Sequence, residues 1–388
     1  MSTHTRLPVS FERGEGAWLW DTEGHKYLDA FSGLAVCGLG HAHPAVAEAL
    51  CAQAQRLLHT SNVYRIAKQE ELGAELTRVS GMDKAFFCNS GAEANEAAIK
   101  LARLHGHRKN IAVPTVLVTE GSFHGRTLAT LAATGNAKIK QGFEPQVEGF
   151  VRVPFNDLDA VAALAQKNPG IAAVLVEPVQ GEGGVNIARP DYLPGLRKLC
   201  DEYGWLLMLD EVQTGLCRTG KWFAFQHTDV TPDVMTLAKS LGNGVPIGAC
   251  LARGAAAELF QPGSHATTFG GNPLVCSAAL AVISIMEQER LAARANALGA
   301  SLVSGFQRAL QGNGHVTDIR GLGLMMGIEL DRPCAELVKI ALEQGLLINV
   351  TAERVVRLLP PLIISDVEAE QIVTGVSGLI NAFVKGKP

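Results

Sequence analysis

From about position 45 to Cys276, short apolar runs alternate with longer amphipathic stretches. The runs are Ala85–Cys88, Thr115–Thr119, Ile171–Val176, Leu206–Leu209 and Ile247–Leu251. They are apolar at successive positions, which predicts strands covered on both faces. A mostly parallel sheet between helical layers follows, an α/β architecture. Ahead of them, Ala17–Trp20 and Lys26–Phe31 read as short strands around a turn at Asp21-Thr22-Glu23-Gly24. After Pro273 a long helical pattern begins. It is followed by a strand-like Gly327–Leu330, a helix near Ala335–Gln344, a strand-like Val355–Leu358 and a final helix from Val367. A chain of 388 residues exceeds what one core usually fills, so two units are expected. We expect a large α/β domain over 45–275, and a small α+β domain from 1–44 together with 276–388.

Composition narrows the partners without naming a function. Formal net charge is −4 and no long like-charge run occurs, so nothing electrostatic favours nucleic acid or another polyanion. The start of the chain lacks a basic stretch followed by an apolar one, and no apolar run reaches membrane-spanning length. A cytoplasmic protein with no membrane partner is expected. The eight cysteines (37, 51, 88, 200, 217, 250, 276 and 334) are scattered without a C-x-x-C pair. They read as reduced thiols, mostly in the core, and not as zinc ligands.

Candidate chemistry collects at the ends of the predicted strands. In Cys88-Asn89-Ser90-Gly91-Ala92-Glu93-Ala94-Asn95, Ser90 and Glu93 have capping-box spacing before a helical stretch over Ala94–Leu104, with Gly106 as its stop. A free helix N-terminus beside a glycine can cradle a phosphate, and equally it can be a well-capped helix holding nothing. Asp210 and Glu211 close the run Leu206–Leu209, where buried carboxylates need partners and where open α/β sheets bind ligands. Lys239 follows an apolar segment and precedes Gly242-Asn243-Gly244. Such a lysine either snorkels to the surface or is a desolvated amine suited to forming an imine. Gly121–Thr127 and Glu177–Gly184 add polar groups and glycines after two further strands. No one of these is decisive. Together, a phosphate cradle, an aromatic, an aspartate and a lysine on one sheet are the parts of a pyridoxal-phosphate site, where a carboxylate keeps the pyridine nitrogen protonated and a lysine supplies the imine.

With those residues in view, the chain resembles the class-III (ornithine-type) aminotransferases of pyridoxal-phosphate fold type I. The resemblance runs from Gly14-Glu15-Gly16 and Gly40-His41-Ala42-His43-Pro44 to Arg357-Leu358-Leu359-Pro360-Pro361. It includes Asn89–Asn95, Phe123–Thr127, Val176–Gly184, Leu209–Gly215, Lys239 and Thr267–Pro273. It implies pyridoxal 5'-phosphate as cofactor, with Lys239 as the imine-forming acid/base and Asp210 on the pyridinium nitrogen. Gln213 would meet the phenolic oxygen, Phe123 would stack on the ring, and Ser90, Gly91 and Ala92 would hold the phosphate. Thr267 would contact substrate, and Thr268 would reach the cofactor of a neighbouring subunit, hence a homodimer with shared sites. Arg126 would clamp the substrate carboxylate. Arg357 would take the α-carboxylate of glutamate, with Glu182 as its switch partner.

The implied reaction is ping-pong transfer of a δ-amino group to 2-oxoglutarate, within arginine biosynthesis. N-acetylornithine is the implied donor; succinylornithine, N-succinyl-diaminopimelate, 4-aminobutyrate and ornithine are alternatives, and an aminomutase or racemase is a more distant one. Against those last two stands the pair of arginines that a two-carboxylate acceptor needs. A non-catalytic cofactor carrier would lack Lys239 or Asp210, and both are present. The chain departs from the family pattern at Cys37 and Cys217. Trp18 and Leu34 occupy positions where a substrate-contacting tyrosine of the ornithine enzymes is expected.

Overall fold

The computed structural model describes Met1 and residues 3–386. Among these, the central sheet has seven strands in the order Lys84–Cys88, Gly248–Ala252, Val234–Leu237, Leu206–Asp210, Ile171–Val176, Thr115–Thr119 and Phe150–Val153. Gly248–Ala252 runs antiparallel to both its neighbours, and the other pairings are parallel. Thr115–Thr119 and Ile171–Val176 have the bounds read from the sequence, and both are buried throughout. Burial on both faces is what a continuous apolar run requires.

Of the strands that were not anticipated, three show why. Phe150–Val153 is a part-exposed edge with Arg152 in it, Phe11–Glu15 is mostly exposed and polar, and Val234–Leu237 is only four residues long. Each lacks the length or the apolar pattern that marks a buried strand.

The helix Gly91–Arg108 crosses the sheet and begins beside the carboxyl ends of its parallel strands. Ala97, Ala98, Leu101 and Ala102 pack with Val116, Leu175 and Met208. Small side chains let it lie close, and alanine has the highest helix propensity. Gly106 does not stop this helix as expected; it lies buried inside the last turn, where a Cβ would collide with Pro114. The capping box is half formed. Ser90 Oγ accepts from Glu93 N at 3.2 Å, while the Glu93 carboxylate accepts from Asn89 N and Asn89 Nδ2 instead of from Ser90 N.

The ends of the chain meet in a second sheet, where Leu346–Leu347 pairs in parallel with Lys26–Asp29. A third, antiparallel sheet carries Val316–Leu322, Met325–Leu330, Val355–Leu358 and Asn349–Thr351. The helix Pro273–Gln288 starts with Pro273 in its first turn behind the Asn272 cap and packs on helices Pro44–Ala54 and Ala67–Ser80.

One turn near the cavity has no counterpart in the sequence pattern. Ser32, Gly33, Leu34 and Ala35 all have positive φ (44°, 61°, 70° and 61°), a single turn of left-handed helix. Each non-glycine residue there costs about 1–2 kcal/mol. Asp29 Oδ1 offsets this by accepting from Phe31 N (2.9 Å) and Ser32 N (2.7 Å), and Ser32 Oγ donates to Leu359 O at 2.6 Å.

Candidate active site

A cavity of about 400 Å³ opens where the parallel strands end. Ser90, Gly91, Ala92, Phe123, Arg126, Glu182, Asp210, Gln213 and Lys239, all singled out in the sequence, line it. Their convergence follows from the topology. Five strands of one direction deliver Cys88, Thr119, Val176, Asp210 and Leu237 to the same edge, and the loops beyond carry the polar groups. Arg357 comes from the third sheet and abuts this lining. Its Nη1 lies 2.8 Å from Glu182 Oε1 and 3.5 Å from Gln213 Oε1. Thr267 and Thr268 lie outside the lining, on a loop where Thr267 Oγ1 accepts from Asn89 Nδ2 at 3.2 Å and Thr268 is exposed. Trp18 is also away from the cavity, with Nε1 donating to Glu368 Oε1 at 2.6 Å and Lys26 Nζ 3.8 Å above its ring. Leu34 is outside the lining too, whereas Val36 lines the cavity.

Lys239 retains partial exposure only in this lined space, and its backbone sits at φ 46°, a strained position for a lysine. Burial lowers its pKa to about 8, and the positive charge of Arg357 adds to that, against the carboxylates nearby. An amine held near neutrality can act as nucleophile and proton carrier.

Asp210 is 4% exposed and held on three sides. Oδ2 accepts from Asn95 Nδ2 and from His124 Nδ1, and Oδ1 accepts from Val212 N at 3.1 Å. Asn95 is oriented in turn by donating to His124 O and accepting from Thr236 Oγ1, both at 2.8 Å. Neither Asn95 nor His124 was assigned a role from the sequence, although both fall inside the motifs quoted there. Glu177 is a third such residue. Its oxygens accept from Phe123 N (2.9 Å) and Gly181 N (3.1 Å), tying together the two loops that bring Phe123 and Glu182 to the cavity. Burial raises its pKa, opposed by His124. Glu211 faces away from the cavity and accepts from Ala224 N and Phe225 N at 2.9 Å, which is the partnering its burial demands.

The buried pair is asymmetric. Arg357 is 1% exposed, and its Nε and Nη2 donate to Asn349 Oδ1 at 3.0 and 2.7 Å. Glu182 is 38% exposed and supplies the carboxylate. Arg357 is therefore fixed, while Glu182 has room to swing.

A buried amine, a carboxylate saturated on one oxygen, an aromatic ring and the open N–H groups of Gly91 and Ala92 surround one cavity. That donor set fits pyridoxal phosphate: an amine for its aldehyde, an acceptor for its ring nitrogen, and a helix N-terminus for its phosphate. Fold and site together define a pyridoxal-phosphate enzyme of the α/β type.

The sequence pattern of the family described as aminotransferase class-III matches residues 1–380. The chain belongs to that family, and it is a pyridoxal-phosphate-dependent aminotransferase. It is 61% identical over 387 residues to the acetylornithine aminotransferase of Nitrosomonas europaea, covering 100% of this chain and 98% of that protein. An ornithine aminotransferase structure from Toxoplasma gondii, with partial occupancy of PLP at its active site, aligns with a TM-score of 0.94 at 36% identity. That alignment covers 98% of this chain and 92% of the other. The acetylornithine aminotransferase of Elizabethkingia anophelis aligns with a TM-score of 0.88 at 36% identity, covering 98% and 96%.

Proposed function

We propose that this chain transfers the δ-amino group of N-acetylornithine to 2-oxoglutarate, releasing N-acetylglutamate 5-semialdehyde and glutamate as a step of arginine biosynthesis. The observation that carries the reading is the 61% identity, end to end, with a protein named for that donor. The cavity supports it. Exposed Arg126 lines it, and the fixed Arg357 abuts it through Glu182, two cations that suit an acceptor with two carboxylates.

When bound, pyridoxal phosphate supplies the carbonyl that carries the amino group between substrates and a ring that spreads the charge left at the reacting carbon. The residues do the rest. Lys239, with its pKa lowered to about 8, would take the proton from the substrate carbon that bears the amino group and hold it at Nζ for return. Asp210 would hold the proton on the ring nitrogen, and Gln213 would orient the phenolic oxygen. Ser90, Gly91 and Ala92 would hold the phosphate, and Phe123 would pack on the ring.

Glu182 lets one site serve both half-reactions. While an amine donor without an α-carboxylate at that end is bound, Glu182 neutralises Arg357, because an unpaired buried guanidinium is costly. When glutamate or 2-oxoglutarate enters, Glu182 swings out and Arg357 takes the carboxylate.

We also propose a cytoplasmic homodimer, with a large domain over 45–275 and a small one from the two ends of the chain. No helix among the described residues is long and apolar enough to cross a membrane. Thr268 lies outside the chain's own cavity, next in sequence to the exposed Phe269, and Leu57, Leu58, Val63 and Tyr64 are exposed as well. His59 and Phe269 pack ring to ring at 5.6 Å, and Asn62 Nδ2 donates to Thr267 O, so these segments form one patch. Such a patch is suited to a second copy of the chain.

The test is an absorbance titration of the purified holoenzyme with N-acetylornithine, ornithine and 4-aminobutyrate. Conversion of the visible cofactor band at the lowest concentration by N-acetylornithine is the expected result. Conversion by another amine alone would keep the chemistry and replace the donor.

A further inference from the structure

Four residues of the third sheet stand in one cross-strand row, Arg320 opposite Gly327, Gly327 opposite Arg357, and Arg357 opposite Asn349. Residues directly opposite in antiparallel strands present their side chains on the same face. Gly327 has no side chain, and a Cβ there would stand 3.1 Å from Val185 Cβ. The loop that carries Glu182 therefore lies over this row. Arg320 bonds its backbone, and Arg357 faces the Glu182 carboxylate.

The Arg320 guanidinium is fully committed. Nε donates to Val185 O at 3.0 Å and Nη2 to Gly184 O at 2.6 Å, while Nη1 donates to Asp318 Oδ2 and Glu329 Oε2, both at 2.7 Å. The two carbonyls belong to a strained turn. Val185 is fully buried at φ 56°, a conformation that β-branched residues rarely adopt. Such strain persists only where surrounding contacts over-determine it. Closer to the switch, Gly181 N is held by Glu177, and Glu182 O accepts from Thr351 Oγ1 at 2.6 Å. The backbone is thus clasped on both sides of Glu182, which leaves its side chain as the part free to move.

We infer that Arg320 is a positioning residue for amino transfer, holding the strained turn in the place from which the Glu182 carboxylate reaches Arg357. The inference rests on the switching role proposed for Glu182. Arg320 lies outside the cavity lining, so its effect on substrate choice passes through that loop. Its removal strands no carboxylate in the interior, because Glu329 keeps Arg354 at 3.0 Å and Asp318 is half exposed.

The experiment is a double-mutant cycle on the cofactor-saturated holoenzyme, with the parent, Arg320→Met, Glu182→Gln and the double variant. Stopped-flow absorbance of the cofactor band gives second-order rate constants for an ω-amine and for glutamate. The amine is N-acetylornithine, or ornithine or 4-aminobutyrate if the parent converts one of those instead. Arg320→Met should lower the ratio of the amine constant to the glutamate constant about fivefold, but less than about twofold once Glu182→Gln is present. Hydrogen exchange in segment 181–185 of the cofactor-free protein should be at least about threefold faster in Arg320→Met than in the parent. Unchanged exchange there would overturn the inference. So would an equal change of ratio in both backgrounds, since a residue that only steadies the fold acts independently of Glu182. Should the methionine variant not fold, Arg320→Lys, which keeps the charge and loses the fork that spans two carbonyls, is judged by the same criteria. Glu182→Gln alone separates the two ideas. A ratio it leaves unmoved removes the role of Glu182 and that of Arg320 with it, whereas a ratio it moves and Arg320→Met does not removes the role of Arg320 alone.

Discussion

His124 Nδ1 lies 2.8 Å from Asp210 Oδ2, and the same oxygen accepts from Asn95 Nδ2 at 2.8 Å, so one oxygen of a buried carboxylate is saturated by the protein. The other oxygen takes a single, longer bond from Val212 N at 3.1 Å, and Asp210 lines the cavity. Two donors hold the carboxylate in place, and a carboxylate acceptor is what a protonated ring nitrogen needs. Asp210→Asn keeps the shape and removes the charge. Turnover should fall on the order of a hundredfold or more with the far-UV circular dichroism unchanged. A variant within threefold of the parent would show that Asp210 is not the group holding that proton.

Glu182 is the carboxylate that faces Arg357, and Asn349 keeps the guanidinium in place without it. Glu182→Gln should therefore leave the fold intact while exposing Arg357 to carboxylates in both half-reactions. The kcat/KM for the amine donor should drop about tenfold and KM for 2-oxoglutarate should fall, so the ratio between the half-reactions is the readout. Equal losses in both would mean that Glu182 is structural.

How far these residues were legible in the sequence depends on what kind of signal each leaves. Thr115–Thr119, Ile171–Val176 and Val355–Leu358 have the bounds their apolar runs suggest, because each is buried from end to end. Phe150–Val153 escaped notice because an edge strand with an exposed arginine has no run to see. The cavity lining was legible because polar residues after buried strands have few structural uses. Asn95, His124 and Glu177 stood inside the same motifs, but their roles are set by contacts across 29 to 141 positions of chain, which no local pattern encodes. The left-handed turn at 32–35 was invisible for a different reason. Three of its four residues are not glycine, and the carboxylate of Asp29 that holds it is specified by tertiary structure.

The patch around Phe269 gives a test of assembly. Phe269 is 61% exposed and Leu58 52%, more than large apolar side chains usually keep in a finished surface. Phe269→Glu should move the protein from dimer toward monomer at micromolar concentration, read by sedimentation velocity. Activity should fall with the dimer fraction if Thr268 completes the neighbouring site. A dimer unaffected by the change would put the interface elsewhere.

Lys239 should make the cofactor-free protein pH-sensitive in a direction that can be worked out. Its pKa is lowered from the ordinary 10.5 to about 8, first by burial and then by Arg357. Between those two values the unfolded chain binds more protons than the folded one, so the stability this group contributes rises with pH. It is fully present above about 10.5 and is lost as pH falls through about 8, where the folded state must hold a buried ammonium. Lys239→Met keeps the length of the side chain and removes the charge. At pH 7 the variant should be more stable than the parent by an amount on the order of 1–3 kcal/mol. That advantage should shrink as pH is raised toward 10 and the parent's lysine becomes neutral. Urea unfolding of both cofactor-free proteins at three pH values measures it. A difference that stays constant with pH would mean that the amine keeps its proton at no cost, and the nucleophile proposed for this site would then lack the neutral form it needs.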